Sequence, residues 1–554
     1  MELITKRVHT MRTKCEAVSQ VTFDEDLNVP DVKPDVGRMI QKKGEIQIDE
    51  MQVSDGHVFF NGALLVALLY VSDSMERKIQ SLLGTLPIAE TMHLEDLQSG
   101  QKVKLEWELE DLSVQLIHSR KLNIKALITF TARVEELEEI LLPAGVETPE
   151  ISQKKEEIPV MGICIHKKDT MRVKEEISLA SNKPNIHELL WDTVEIRGVD
   201  IRAKSDRIAV KGELFLFVLY RGEDDNYSLQ WLEHSIPFSE EIECAGCAES
   251  MVPDVDVLLA QSELKIRTDS DGEERVLAVE AMLELEIRIY EEEEVSLLLD
   301  VYTPAKELRV VCKPAKLECL LVKNFSKCRV GERLKTSENQ GKILQICHSD
   351  GMVKVDNTHI MENGIEIEGI VTVKILYIIS DDEMPFYSMD AMIPFSHIVE
   401  AQGIGKECIY HLHTDLKQLS TTMIDSDEIE VKIVLNLNAL VMKQRERPLI
   451  YEIEEQELDR EKLQSMPGIV GYQVQPQDTM WDIAKKFYTT TEEIIRLNHL
   501  ESEELHPFDT LILVKSVESK SEIFLLKTTK RWARMNVECL KKNTMYKEIY
   551  RRRK

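Results

Sequence analysis

Three nine-residue segments set the rhythm of this chain. In GIVTVKILY, Gly369 to Tyr377, the residues Val371, Val373, Ile375 and Tyr377 alternate with Thr372, Lys374 and Leu376. A period of two rich in β-branched side chains predicts a strand. The segments GALLVALLY, Gly62 to Tyr70, and GELFLFVLY, Gly212 to Tyr220, are apolar at nearly every position. Periodicity alone leaves such runs open between a buried helix and a strand buried on both faces. Their alignment with the third copy makes all three strands. Each is followed by a polar stretch and a second apolar segment, which reads as a hairpin. Val103, Leu105, Trp107 and Leu109 then alternate with Lys104, Glu106, Glu108 and Glu110, and RKLNIKALITFTARV, ERVLAVEAMLELEIRI and DEIEVKIVLNLNALV supply a late strand per unit.

The copies agree beyond these segments. A proline stands seventeen positions after each tyrosine, at Pro87, Pro237 and Pro394, and an apolar residue follows it, Ile88, Phe238 or Phe395. Lys33 and Pro34 precede Lys183 and Pro184 by 150 residues, the offset of the other landmarks, whereas the third copy sits 157 residues after the second and lacks the Lys-Pro pair. The repeats are placed at 1–145, 160–305 and 313–447. The shared glycine and proline are expected to be backbone punctuation at the start and the end of a strand. A triplicated β-rich unit reads either as a scaffold or binding array or as three duplicated domains of which one is active. Independent units would expose protease sites near 145–165, 300–315 and 445–468.

An acidic linker at 448–468 follows, with a helix expected over Tyr451 to Gln464 and a boundary at Met466-Pro467-Gly468. The segment 469–516 then has the order βααβ: a strand at Tyr472 to Gln475, a helix capped by Asp478 or Thr479 with Ile483, Ala484 and Phe487 on its apolar face, a second helix capped by Thr490 or Thr491 and ending at Asn498, and a closing strand at Thr510 to Val514. The fold class is therefore mainly β, three repeated β-rich domains and a small βααβ domain.

The opening FDEDLNVPDVKPDVGRMI, Phe23 to Ile40, resembles the signature of the SPOCS domain, a spore-coat-associated domain of endospore-forming bacteria, and the two later repeats look like further copies. The βααβ segment is similar to the LysM domain at Tyr472, Val474, Asp478, Thr479, Ile483, Ala484 and Asn498, and at Leu497, Leu500 and Leu511. LysM domains usually bind N-acetylglucosamine polymers such as peptidoglycan. Here Gln477 and Phe508 replace the glycines usual at those positions, and both put side chains where backbone would approach a ligand or turn tightly. The combination resembles the SipL-type spore coat morphogenetic proteins of clostridial endospore formers. That resemblance implies a non-enzymatic adaptor in the mother-cell cytoplasm at the forespore surface, with the LysM domain binding stage IV sporulation protein A, an ATPase that coats the forespore. The alternative is a peptidoglycan-binding protein. Ile469, Trp481 and Lys485 are the candidate partner-binding residues. Trp481 reads either as an interface anchor or as core filling. Lys485, one turn on, reads either as a pairing group for an acidic partner or as a solvated helix lysine.

Charge narrows the function classes. The 554 residues carry 69 Lys and Arg against 99 Asp and Glu, a net −30, which argues against a whole-chain nucleic-acid binder. Residues 521–554 hold eleven basic and three acidic residues, so the tail at 517–554 is basic on an acidic body and suits an anionic membrane surface, an acidic protein or the chain's own acidic domains. The N-terminus shows no secretory signal pattern, and the longest apolar run, Gly62 to Val71, is about half the roughly 20 residues of a membrane-spanning helix, so a cytosolic chain with reduced cysteines is expected. No Walker loop, dinucleotide fingerprint, HExxH helix or nucleophile elbow is present. No enzyme activity, cofactor or metal is expected. Cys244 and Cys247 form a lone CxxC without further ligands at zinc spacing. His411 and His413, close to Cys408, would share one strand face, a pattern more often surface decoration than a metal site. The run Glu291 to Glu294 reads as a solvated turn.

Overall fold

The period-two segments become long antiparallel strands. The structure, a computed structural model, describes residues 1–73, 78–148, 150–336, 341–380 and 386–515, and the basic tail lies outside the described residues. The first repeat holds β1 (Leu3–Asn28), β2 (Val36–Ser54), β3 (His57–Ser72), β4 (Ile79–His93), β5 (Val103–His118) and β6 (Lys121–Val146). The second holds β7 (Ser152–Ser178), β8 (Ile186–Lys204), β9 (Arg207–Gly222), β10 (Leu229–Glu243), β11 (Val252–Thr268) and β12 (Glu274–Tyr302). The third holds β13 (Glu307–Lys335), β14 (Ile343–Met361), β15 (Gly364–Ile379), β16 (Phe386–Glu400), β17 (Cys408–Asp425) and β18 (Glu428–Gln456). Every repeat pairs its strands into two three-stranded sheets of the same order, β1-β6-β5 with β2-β3-β4 in the first. Apolar side chains of the two sheets enclose one core per repeat, where Phe60 meets Phe130 at 4.8 Å between ring centroids.

The shared glycine and proline lie inside strands, and this corrects their expected place at strand ends. Gly62, Gly212 and Gly369 pair directly across the ladder with Ile88, Phe238 and Phe395, the residues that follow the prolines. A Cβ on Gly369 would lie 2.1 Å from the Lys354 carbonyl oxygen, and one on Gly212 would lie 2.6 Å from the Phe238 ring. The glycine makes room for the neighbouring backbone or for the ring opposite it. The prolines occupy β4, β10 and β16, outer strands of their sheets where a missing N–H disturbs least.

The Lys-Pro pair is also structural. In the first repeat Tyr70 donates its hydroxyl to the Pro34 carbonyl at 3.0 Å, and in the second Tyr220 does the same to Pro184 at 3.5 Å. An arginine at the start of the sixth strand clamps each turn. Arg120 donates to the carbonyls of Val29, Pro30 and Lys33, and Arg275 to those of Ala180 and Lys183. The third copy lacks the pair, and the buried Tyr377 hydroxyl has no partner among the described residues.

The third strand of each repeat is buried on both faces because the repeats share a centre. Tyr70, Tyr220 and Tyr377 face their own cores, while the preceding Leu69, Leu219 and Leu376 face one common cluster with Ile79, Trp191 and Phe386. All three leucines are fully buried. A second shared cluster collects Leu142, Leu297 and Leu449, again equivalent positions, so the three sandwiches pack round an approximate threefold axis. Polar contacts follow the same cycle: Arg38 donates to the Phe386 carbonyl at 2.7 Å and Arg221 to the equivalent Ile79 carbonyl at 2.5 Å. The third junction uses His348, which contacts Glu233 at 2.8 Å and stacks on Phe217 at 3.9 Å.

Two local expectations are corrected. The run Glu291 to Glu294 lies within β12, paired to Gly162 through Pro159, and so is a strand with a largely solvated face. The expected connector helix shortens to α1 (Arg460–Ser465), because β18 continues to Gln456 by pairing with Glu307 to Val311. The terminal module comprises β19 (Ile469–Gln473), α2 (Met480–Lys486), α3 (Thr491–Asn498) and β20 (Thr510–Val514), with β19 antiparallel to β20.

Candidate functional site

The terminal module is held by short-range polar fixtures around a small core. Val474, Met480, Ile483, Ala484, Ile494 and Leu511 fill that core. Tyr472 donates to the Asp478 carboxylate at 2.7 Å, and the Gln475 N–H donates to it at 2.8 Å, which fixes the loop after β19. The tyrosine hydroxyl, followed by the Gln475 N–H, holds the Asp478 pKa below its ordinary value. Thr479 caps α2 by accepting from the Asp482 N–H, and Thr490 caps α3 by accepting from the Glu493 N–H. Asn498 bridges α3 to the closing strand: its amide donates to the carbonyls of Ile494 and Ile512 at 2.9 Å and accepts the Ile512 N–H at 2.7 Å. These LysM positions therefore build the fold of the module.

Trp481 and Lys485 do something different. One turn apart on α2, they converge on one carboxylate of the second repeat. The Trp481 indole N–H donates to Asp300 Oδ2 at 2.8 Å, and the Lys485 ammonium contacts both Asp300 oxygens at 2.7 Å. The Trp481 ring also meets Tyr302 edge-on at 4.7 Å between centroids, and Tyr302 belongs to the module's own core cluster. Ile469 lies apart from this pair, exposed at the start of β19. Nothing in the pattern of either segment signals that Asp300 and Tyr302 would meet α2.

Beside this contact lies a cleft of ≈ 1000 Å³. Asp478, Thr479, Trp481, Thr491, Glu492 and Glu503 of the module line one side, and the stretch from Glu150 to Lys155, which leads into β7, lines the other. Phe508 has φ +75°, the left-handed region where a glycine is at ease, and its side chain is exposed. Gln477 has no such backbone strain, so a glycine is not required there for the turn.

The other sequence candidates fall elsewhere. Cys244 and Cys247 are free thiols buried in the second repeat, and burial raises both pKa values. His411 and His413 do share a strand face, but that face is an interface between repeats. Both reach Asp254 of β11, at 2.8 and 2.5 Å, and Arg288 of β12 donates to the same buried carboxylate at 3.1 Å. Their expected role as surface decoration is thereby corrected. No group of three metal-ligating side chains is found among the described residues. Nor is any described helix long and apolar enough to cross a membrane.

Comparison with known families agrees with this division. The SipL, SPOCS domain family matches residues 35–117, 185–267 and 342–424, which cover the second to the fifth strand of each repeat. The LysM domain family matches residues 472–514. No curated protein matches the chain. The SPOCS match recurs in the third repeat although the Lys-Pro pair is missing there, and the glycine, tyrosine and proline positions of the ladder persist in it. With SPOCS domains at the same place in every repeat and a LysM domain after them, the chain has the domain arrangement of a SipL-type protein.

Proposed function

We propose that this chain is a non-enzymatic adaptor of spore coat assembly. It works in the mother-cell cytoplasm at the forespore surface, its LysM domain binds stage IV sporulation protein A, and its SPOCS domains join or recruit coat layers. Both of its domain families are non-catalytic. The observation that carries this reading is the combination of three SPOCS domains with a LysM domain, and the face proposed for binding is that of Trp481 and Lys485, which in the free chain meets Asp300. An aromatic donor beside a cation is the chemistry of a protein-binding anchor. The test is binding of the purified full chain to purified stage IV sporulation protein A. Trp481→Glu should weaken it at least about tenfold, with the circular dichroism of the SPOCS repeats unchanged. Undiminished binding by that variant would remove α2 from the interface.

A peptidoglycan reading is favoured by a separate observation, the cleft between the module and the stretch Glu150 to Lys155, whose lining includes the hydroxyls of Thr479 and Thr491 and the carboxylates of Asp478, Glu492 and Glu503. It predicts saturable binding of N-acetylglucosamine oligomers by the full chain. The adaptor reading predicts no such binding.

A further inference from the structure

Asp300 and Tyr302 are peculiar to the second repeat. In the strand ladder Asp300 lies opposite Lys154, and the equivalent places in the first and third repeats are Gly145, opposite Ile4, and Glu452, opposite Val311. Two residues on, where the second repeat has Tyr302, the others have Glu147 and Glu454. The Asp-Val-Tyr sequence of residues 300–302 thus occurs at one of three equivalent strand ends, and that end is where α2 sits. The contact is compact and chemically complete. The carboxylate takes the indole N–H and the ammonium together, and the Tyr302 ring covers the edge of the tryptophan. The indole N–H of Trp481 and the ammonium of Lys485 are both occupied by the chain itself, and the connection between β18 and β19 spans only residues 457–468, including one short helix.

We infer that the Trp481–Lys485 face of the LysM domain recognises an extended segment bearing a carboxylate and, two residues on, an aromatic ring, and that Asp300-Val301-Tyr302 fills this site in the free chain as an internal competitor. This rests on the reading above that α2 is the protein-binding face, and it specifies both the epitope and its regulation. A partner segment of the same chemistry replaces Asp300 at the indole and the ammonium and replaces Tyr302 at the ring edge. The exchange conserves the number of hydrogen bonds, so the internal segment sets a threshold rather than a block. A partner that offers only one of the two groups does not displace it.

The test uses the full chain. In Asp300→Ala, hydrogen–deuterium exchange over 480–487 and trypsin cleavage within 457–468 should each rise roughly tenfold, because a charge-assisted contact of this kind is lost. A fluorescent peptide of the sequence 295–304 should bind Asp300→Ala about tenfold more tightly than the native chain, because the competing segment has been weakened. Adding Trp481→Glu should abolish that binding, and so should changing the peptide's aspartate to asparagine together with its tyrosine to alanine. A charge swap, Asp300→Lys with Lys485→Asp, should restore protection of 480–487 and so separates loss of the contact from loss of folding. Unchanged exchange in Asp300→Ala, or equal peptide binding by the native and variant chains, would overturn the inference. If Asp300→Ala frees α2 and captures the peptide yet stage IV sporulation protein A binds neither chain, the adaptor reading fails and this inference stands. If that protein binds both chains equally well, the adaptor reading stands and the internal competitor is refuted.

Discussion

Tyr70 and Tyr377 end the same nine-residue segment, yet they meet different surroundings. The Tyr70 hydroxyl donates to the Pro34 carbonyl, whereas that of Tyr377 is buried without a partner among the described residues. An unmade buried hydrogen bond costs about 1–3 kcal/mol, while a made one contributes about 1 kcal/mol. Tyr70→Phe should therefore destabilise the chain by about 1 kcal/mol, and Tyr377→Phe should be neutral or stabilising by a similar amount. Urea denaturation of the two variants measures this, and equal losses would mean that Tyr377 has a partner after all. At this scale the sequence is highly legible. The Lys-Pro pair could be seen to drop out of the third copy while the tyrosine stayed, but what links the two, a carbonyl for a hydroxyl, needed the fold. The LysM caps were readable to within one residue, since Thr479 and Thr490 each stood in a pair of alternatives.

Between elements, the sequence shows which residues share a face and not what that face meets. His411 and His413 are two apart on β17, which suffices to put them side by side. Only the packing of β17 on the second repeat brings them to Asp254 and Asp256 of β11, with Arg288 of β12 and Lys323 of β13 close by. Burial pushes the His413 pKa down, but the hydrogen bond and charge of Asp254, helped by Asp256, outweigh it and raise the pKa above its ordinary value. The stabilisation from a raised pKa is complete below the unfolded value, near 6.5, and is lost as pH rises through the folded value. Asp254 is held far below its usual range by the two histidines against its burial, so its contribution is complete above the unfolded value, about 3.9, and is lost progressively as pH falls below it. The melting temperature should thus fall as pH rises from about 6.5, and His413→Ala should flatten that slope. A native slope that persists in the variant would place the titrating group elsewhere. The same limit explains Asp300: a lone acid near the end of a strand carries no mark of the helix that will rest on it.

Across the whole molecule, the signal of shared packing was present in the doubly apolar β3 and β9. A strand buried on both faces needs a second surface, and here the other repeats supply it. The expectation of separable units changes accordingly. Ile151, Val301 and Leu308 at the junctions are buried in one cluster with Ile450 and Ile453. Trypsin should therefore cut first within 457–468 and spare 145–165 and 300–315. Leu219→Glu, which places a charge at the shared centre, should cost more than about 3 kcal/mol and expose all three junctions together. Early cleavage of the native chain at 300–315 would count against a common centre. The single LysM seat has a consequence of its own. A body of three matched blades would look the same after each third of a turn. One blade alone carries the head, so the assembly has a heading. Two copies lying side by side on a shell are then distinguished by the direction in which their heads point. A layer built from such units has a grain, set by one aspartate that two of the three blades lack.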